Sequence, residues 1–231
     1  MLPLKDTVQA RSFAIVNWTL IVINVLAFMI LLTLGRSAQE FVTTFGLVPA
    51  RLLDHLGLSQ LLTVVTSMFL HGGWAHIFGN MLALYIFGDN VEDRMGHGRY
   101  LLFYMLCGIA AAAVHIAFNQ DSAVPTIGAS GAISGVLAAY LLLFPRARVI
   151  SLVPVFFLPL LMEIPAVIYL GVWFLSQLLN GVLTVVASAE AFGGVAYWAH
   201  IGGFAAGLLL VRPFTAGRNV RAMYADEYFP W

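Results

Sequence analysis

Charged side chains are scarce in this sequence. Only 22 of the 231 residues are Asp, Glu, Lys or Arg, 11 of each sign, which is 10% of the chain, whereas ordinary soluble domains have roughly 25%. This scarcity excludes a soluble globular enzyme, and the 61% hydrophobic content excludes a disordered linker. The balance of signs argues against a nucleic-acid partner, because nucleic-acid-binding proteins need a basic face.

Cysteine is nearly absent, and no cleavable signal peptide is evident. Cys107 is the single cysteine, so no intrachain disulfide can form. The apolar run that follows Arg11 is too long for the core of a signal peptide, and no small-residue cleavage site follows it. We therefore expect the first apolar segment to remain as a membrane anchor.

Long uncharged apolar runs dominate the rest of the sequence. The stretches free of Asp, Glu, Lys and Arg are 12–35, 55–88, 100–120, 122–145, 149–162, 164–189 and 191–211. All but 149–162 have 21 or more residues, enough for a helix to cross a hydrocarbon core of about 30 Å. This pattern predicts a polytopic protein embedded in a lipid bilayer.

The runs predict an all-α membrane protein with a bundle of six transmembrane helices. Because backbone groups in lipid must be satisfied internally, each long run is interpreted as a helix. We place the spans at about 14–34, 74–92, 99–118, 130–144, 165–186 and 194–211. The fourth helix is short and central, and a long first loop over 35–70 is expected in the headgroup region. The segment 149–162, broken by Pro154 and Pro159, is expected to be an interfacial or re-entrant connection.

The distribution of Lys and Arg gives the expected orientation. With six spans, nine basic residues lie on one side and only Arg36 and Arg51 on the other, and basic residues favour the cytoplasmic side. Both termini are therefore expected in the cytoplasm. A seven-span alternative would move the last three arginines outside and weaken this asymmetry. We expect one domain over 1–231, with an anchor helix at 14–34 and a cytoplasmic tail at 212–231.

Four polar residues inside the predicted spans fall at similar depths. His76 and Ser130 each lie 16 residues above a cytoplasmic charge, whereas Asn80 and His200 lie 12 residues above one. At ~1.5 Å per helical residue, these offsets put all four within about one helical turn, in the outer third of the bilayer. Polar groups within spans are costly, so each is a functional candidate.

Ser130 and His200 have the residue types of a nucleophile and its base. A serine hydroxyl is a weak nucleophile until a nearby base takes its proton, and histidine has a suitable pKa. The expected close approach of the two helices rests on small residues, with Gly131 after Ser130 and a GxxxG pair at Gly203 and Gly207. We therefore expect the hydroxyl and the imidazole to lie within hydrogen-bonding distance.

The remaining polar residues suit an oxyanion hole. His76 and Asn80 are four residues apart and share one helix face, and the backbone N–H of Ser130 at a helix N-terminus adds a third donor. No acidic residue falls at this depth, so the simplest arrangement is a Ser–His dyad without metal or cofactor. His71 and Gly128 are further candidates for supporting the site.

At these residues the chain resembles the rhomboid family of intramembrane serine proteases. The matching segments occur in family order over about 40–211; they are HGGWAH at 71–76 with Asn80, 92–96, GASG at 128–131 and AHIGG at 199–203. The resemblance implies a six-helix rhomboid core that cleaves transmembrane proteins near the outer membrane face.

The resemblance also assigns roles to individual residues. It implies Ser130 as nucleophile, His200 as base and His76 with Asn80 in the oxyanion hole, while Glu92 and Arg94 match positions that brace the cytoplasmic end. Two features depart from the family pattern. Some rhomboids carry an aromatic residue that stacks on the base one turn after the nucleophile, where this chain has Ser134, and some have a Trp-Arg pair in the first loop, which is not found here.

Other functions fit the sequence less well. A metalloprotease of the HExxH type is excluded because that motif does not occur. An aspartyl enzyme is a poor fit because it would need two intramembrane Asp residues. A transporter is disfavoured because the polar groups cluster near one face. The alternative that we retain is a catalytically inactive rhomboid-like protein that binds membrane clients. The compact form suggests a bacterial-type plasma membrane protein.

Overall fold

The computed structural model describes residues 1–155, 158–186 and 195–217. Helices dominate these ranges. They are α1 Ile15–Thr33, α2 Ala38–Phe45, α3 Pro49–Asp54, α4 Leu58–Thr66, α5 Trp74–Ala83, α6 Asp89–Met95, α7 His97–Phe118, α8 Ser130–Leu143, α9 Ala166–Val186 and α10 Tyr197–Thr215. A π-helical turn at Leu84–Gly88 joins α5 to α6, so that Trp74–Met95 is one helical stretch.

The chain is a multi-pass membrane protein. Among the described residues, three helices are long and apolar enough to cross a membrane, namely α1, α7 and the Ala166–Thr184 part of α9. Leu58–Phe69 and Trp74–Met95 form a fourth if this pair, bent by 81°, counts as one span. The count of six spans therefore stays a prediction. The last predicted span, 194–211, begins outside the described residues, and α10 continues past it to Thr215.

The first loop has more regular structure than the sequence indicated. Residues 35–70 contain the short helices α2, α3 and α4, and the expected place of this loop in the headgroup region stays a prediction. Helix α3 begins with Pro49, a residue suited to the first turn because its missing N–H would have no intrahelical acceptor.

The expectation of an all-α protein is wrong for residues 2–6, 148–155 and 158–165. These residues form the strands β2 Arg148–Val155 and β3 Leu158–Pro165, and β1 Leu2–Asp6 pairs with β2 to complete a three-stranded antiparallel sheet in the order β1-β2-β3. The β-branched residues of β2 favour this structure. Pro154 and Pro159 lie opposite each other, beyond the part of β2 that pairs with β1. A proline has no backbone N–H to donate across the sheet, and this loss is tolerated where a strand has a free edge.

Helix α8 is the centre of the bundle, and the stretch Trp74–Met95 runs parallel to it. All residues from Gly131 to Tyr140 are buried. His76, near the start of α5, lies beside Gly128 just before α8. Further along both helices, the ring of Phe87 packs edge-on against Tyr140 with 4.9 Å between centroids. The His76–Gly128 contact comes first along both helices and the Phe87–Tyr140 contact comes second, so the two helices run in the same direction.

Glu92 connects α6 to the start of α1. Its side chain is almost fully buried, and its carboxylate accepts hydrogen bonds from the backbone N–H groups of Val16 at 3.0 Å and Asn17 at 2.7 Å. The imidazole of His97 contacts the same carboxylate. A carboxylate at a helix N-terminus satisfies orphan donors and opposes the positive end of the helix dipole. Glu92 therefore braces this end of the bundle, remote from Ser130.

Asp6 connects the sheet to the same end of the bundle. Its Oδ2 accepts hydrogen bonds from the side-chain amide of Asn90 at 2.9 Å and from the hydroxyl of Tyr140. The first strand is thereby attached to α6 and to the last turn of α8.

Candidate active site

Ser130 and His200 lie in direct hydrogen-bonding contact. The distance between Ser130 Oγ and His200 Nε2 is 2.8 Å. Ser130 is the first residue of α8 and His200 lies in the first turn of α10, so both groups project from helix N-termini. The backbone N–H of Ser130 is one of the donors that a helix leaves without an intrahelical acceptor.

Glycine contacts between α8 and α10 allow this approach. A Cβ on Gly203 would overlap the carbonyl oxygen of Gly131, and a Cβ on Gly207 would overlap that of Gly135. The two contacts advance by four residues on each helix, so α10 runs parallel to α8. Small faces let helix backbones approach closely, and here they bring His200 to Ser130, 70 residues earlier in the sequence.

His76 lies beside the turn that leads into α8. Gly128 has φ of +129°, a conformation that L side chains rarely adopt, and a Cβ there would stand 2.7 Å from His76 Nε2. The backbone N–H of Gly72 donates to Nδ1 of His76 at 3.4 Å, which leaves Nε2 as the protonated nitrogen. That N–H is therefore available on the side of the ring that faces Gly128.

Asn80 is bonded to His71. The Asn80 side-chain amide donates to Nε2 of His71 at 2.8 Å, and both side chains are buried. The ring of His71 also packs edge-on against His76, with centroids 4.9 Å apart. One amide hydrogen of Asn80 is thus used in the bond to His71. His71 is in contact with both Asn80 and His76, and its role in supporting the site stays a prediction.

Sequence reasoning missed two residues of α9 that contact the imidazole. Gln177 Oε1 lies 2.8 Å from His200 Nδ1, and the Trp173 ring lies 6.0 Å from the His200 ring, centroid to centroid. In some rhomboids the aromatic residue that stacks on the histidine stands at the position of Ser134. The hydroxyl of Ser134 instead donates to the carbonyl of Ser130 at 2.6 Å, and the aromatic neighbour comes from another helix.

A small cavity of about 30 Å³ opens beside the nucleophile, a volume sufficient for a water molecule. Its polar lining includes Ser130, Ser67, His115 and Thr126. His115 contacts the Thr126 hydroxyl through Nε2 at 2.8 Å. In the described part of the chain, no three His, Cys, Asp or Glu side chains come together as metal ligands.

Comparison with known proteins identifies the family. Residues 58–216 match the model of the Rhomboid domain. Similar relatives are Rhomboid protein 1, mitochondrial, of Saccharomyces cerevisiae (29% identical, covering 64% of this chain and 40% of the relative) and Rhomboid protease GluP of Bacillus subtilis (34%, covering 54% and 24%). RHOMBOID-like protein 12, mitochondrial, of Arabidopsis thaliana is 27% identical, covering 72% and 50%. The chain spans at most half the length of these three relatives. Since the domain match covers more than half of the sequence, the chain belongs to the rhomboid family.

Proposed function

We propose that the protein is an intramembrane serine endopeptidase with a Ser130–His200 dyad. The observation that carries this proposal is the 2.8 Å contact between the Ser130 hydroxyl and the His200 imidazole, made by helices of a membrane bundle. Family membership and the likeness to a protein named Rhomboid protease GluP support the same chemistry.

The arrangement supports acyl transfer in two steps. Ser130 Oγ attacks the carbonyl carbon of the scissile peptide bond while His200 Nε2 takes the hydroxyl proton. The imidazolium then donates that proton to the leaving amine as the C–N bond breaks, leaving an ester on Ser130. Water attacks this ester, again with His200 as base, and releases the acid product with free Ser130. The cavity beside Ser130 offers room for that water.

We propose three donors for the oxyanion. They are the backbone N–H of Ser130, the Nε2–H of His76 and the second amide hydrogen of Asn80. One such donor contributes about 2.7–4 kcal/mol to transition-state stabilisation in a model protease. His71 keeps the Asn80 amide in place, and the glycine at 128 leaves space for the His76 ring.

The proposed substrates are transmembrane proteins, cleaved in or near their membrane-spanning segments. The site lies at the N-terminal ends of α5, α8 and α10, which run in one direction, whereas Glu92 lies at the opposite end of the bundle. Together with the cytoplasmic termini expected from the basic residues, this supports the proposal that the site faces the outer side. The bacterial-type plasma membrane stays a prediction, since the relatives named here include mitochondrial proteins as well as one from a bacterium.

A fluorophosphonate probe tests the nucleophile. We expect the purified protein in detergent to be labelled and to cleave a reporter membrane protein, and Ser130→Ala to lose both activities. Ser134→Ala is the matched control because it removes a hydroxyl one turn along the same helix, and it should keep both. Absence of labelling in the folded wild type would favour the inactive client-binding alternative. Labelling or cleavage by Ser130→Ala would refute the assignment of the nucleophile.

A further inference from the structure

The imidazole of His200 has a second hydrogen-bonding partner, on the side away from the nucleophile. Gln177 projects from the middle of α9, is 8% exposed, and places Oε1 2.8 Å from His200 Nδ1. The imidazole is therefore held at both nitrogens, by Ser130 on one side and by Gln177 on the other.

Hydrogen bonds within α9 fix which end of the Gln177 amide faces the imidazole. The hydroxyl of Ser176 donates to the Trp173 carbonyl at 2.6 Å. Because that hydroxyl hydrogen is already used, Ser176 Oγ accepts from Gln177 Nε2 at 2.9 Å. Gln177 Nε2 also lies 3.4 Å from the Trp173 carbonyl. Both amide hydrogens thus point into α9, and only the oxygen remains to face His200.

The orientation of the amide determines the protonation state of the imidazole that fits the site. An amide oxygen only accepts, so Nδ1 of His200 must carry the proton. In the neutral ring, Nε2 then carries the lone pair, and this nitrogen faces the Ser130 hydroxyl. The opposite tautomer would place a lone pair against the amide oxygen and a hydrogen against Ser130, where the base must accept.

We propose that Gln177 is a positioning residue that selects the Nδ1-protonated tautomer of His200 and holds its ring in line with Ser130. This rests on the proposed function, since tautomer and ring orientation matter only where His200 acts as a base. When His200 takes the proton from Ser130, the hydrogen bond to Gln177 becomes charge-assisted and therefore stronger. Trp173, which lies on α9 like Gln177, packs its ring near the imidazole and limits its rotation. Gln177 thus acts through His200 and touches no reacting atom.

The test compares three variants in the cleavage assay. Gln177→Leu removes the acceptor, and Gln177→Glu keeps an acceptor oxygen at the same length. Asn180→Leu is the matched control, because this residue donates to the Ser176 carbonyl on the same helix and makes no described contact with His200. We expect Gln177→Leu to lower kcat about 10- to 100-fold, the range for a hydrogen bond to a charged group, with KM changed less than about threefold. Fluorophosphonate labelling should slow to a similar extent.

Rescue separates positioning from helix packing. We expect Gln177→Glu to recover at least tenfold of the activity lost in the leucine variant, and Asn180→Leu to resemble wild type. Wild-type kcat in Gln177→Leu would refute the proposal, and so would equal losses in the leucine and glutamate variants. If Gln177→Leu does not fold, Gln177→Met takes its place in the same comparison. The Gln177 variants are compared only after wild type is shown to cleave the reporter and Ser130→Ala is shown not to. A failure of the proposed Ser130–His200 dyad is therefore distinguished from a failure of the proposal on Gln177.

Discussion

The contact between Gly131 and Gly203 offers a direct test of how the helices that carry Ser130 and His200 depend on each other. A Cβ added to Gly203 would stand 2.8 Å from the carbonyl carbon of Gly131, whereas ordinary contact begins near 3.4 Å. The helices must therefore separate locally by about 0.6 Å, and by more at the carbonyl oxygen. Both sides of this contact involve backbone, so no side-chain rotation can relieve it.

The expected cost of Gly203→Ala follows from that geometry. Overpacking costs typically 1–3 kcal/mol, and a clash with backbone belongs near the upper end of this range. Alanine recovers about 0.5–1 kcal/mol because it favours helix over glycine. We therefore expect the free energy of unfolding to fall by about 2 kcal/mol. The Ser130–His200 contact should also lengthen, since Gly203 is less than one turn from His200, and fluorophosphonate labelling should slow.

Thermal unfolding in detergent and probe labelling measure the two effects. Gly171→Ala in α9 is the matched control, because a Cβ there meets nothing within 4 Å. It should leave labelling unchanged and keep or slightly raise the unfolding temperature. If Gly203→Ala unfolded and labelled as the control does, the close approach of α8 and α10 would not be what holds the base against the nucleophile.

Two further predictions concern the opposite end of the bundle. Glu92→Gln should lower the free energy of unfolding by about 1.5–3 kcal/mol, because the carboxylate accepts hydrogen bonds from two backbone N–H groups of α1. Glu163→Gln is the control and should cost less than about 1 kcal/mol, because the Glu163 side chain is exposed and lies 3.8 Å from Arg148. Equal losses of the two variants in thermal unfolding would contradict this prediction. Burial of the Asp6 carboxyl is the main reason that its pKa is raised from 3.8 to about 7. Between these two values the folded protein retains a proton that the unfolded chain releases. The free energy of unfolding should therefore decrease as pH rises from about 4 to 7. Asp6→Asn should flatten this dependence in unfolding curves between pH 4 and 7, and an unchanged slope would show that another group is responsible.

The proximity of Ser130 and His200 was predictable because two simple rules act together. Charges cannot remain in the hydrocarbon core, so they mark the ends of helices, and the helical rise then converts a residue count into a depth. Ser130 and His200, counted from different charges, came out within one turn, and their side chains lie 2.8 Å apart.

The sheet was not predictable in the same way. The apolar run at 149–162 is short, and periodicity alone does not separate a buried strand from a helical segment of that length. Its partner β1 lies more than 140 residues earlier, at Leu2–Asp6. That pairing depends on where the bundle brings the two segments, which a local pattern does not contain.

Gln177 escaped prediction for a related reason, and its chemistry suits its surroundings. One glutamine in an apolar helix has no motif around it, and its role depends on which face of α9 packs against α10. An ionised carboxylate at this position would have a large desolvation cost, so a glutamate here would have to stay protonated, with its carbonyl oxygen toward His200. An amide supplies the acceptor that His200 Nδ1 needs without that charge. A bilayer-embedded site thus favours a neutral partner for the proposed base over an acidic one.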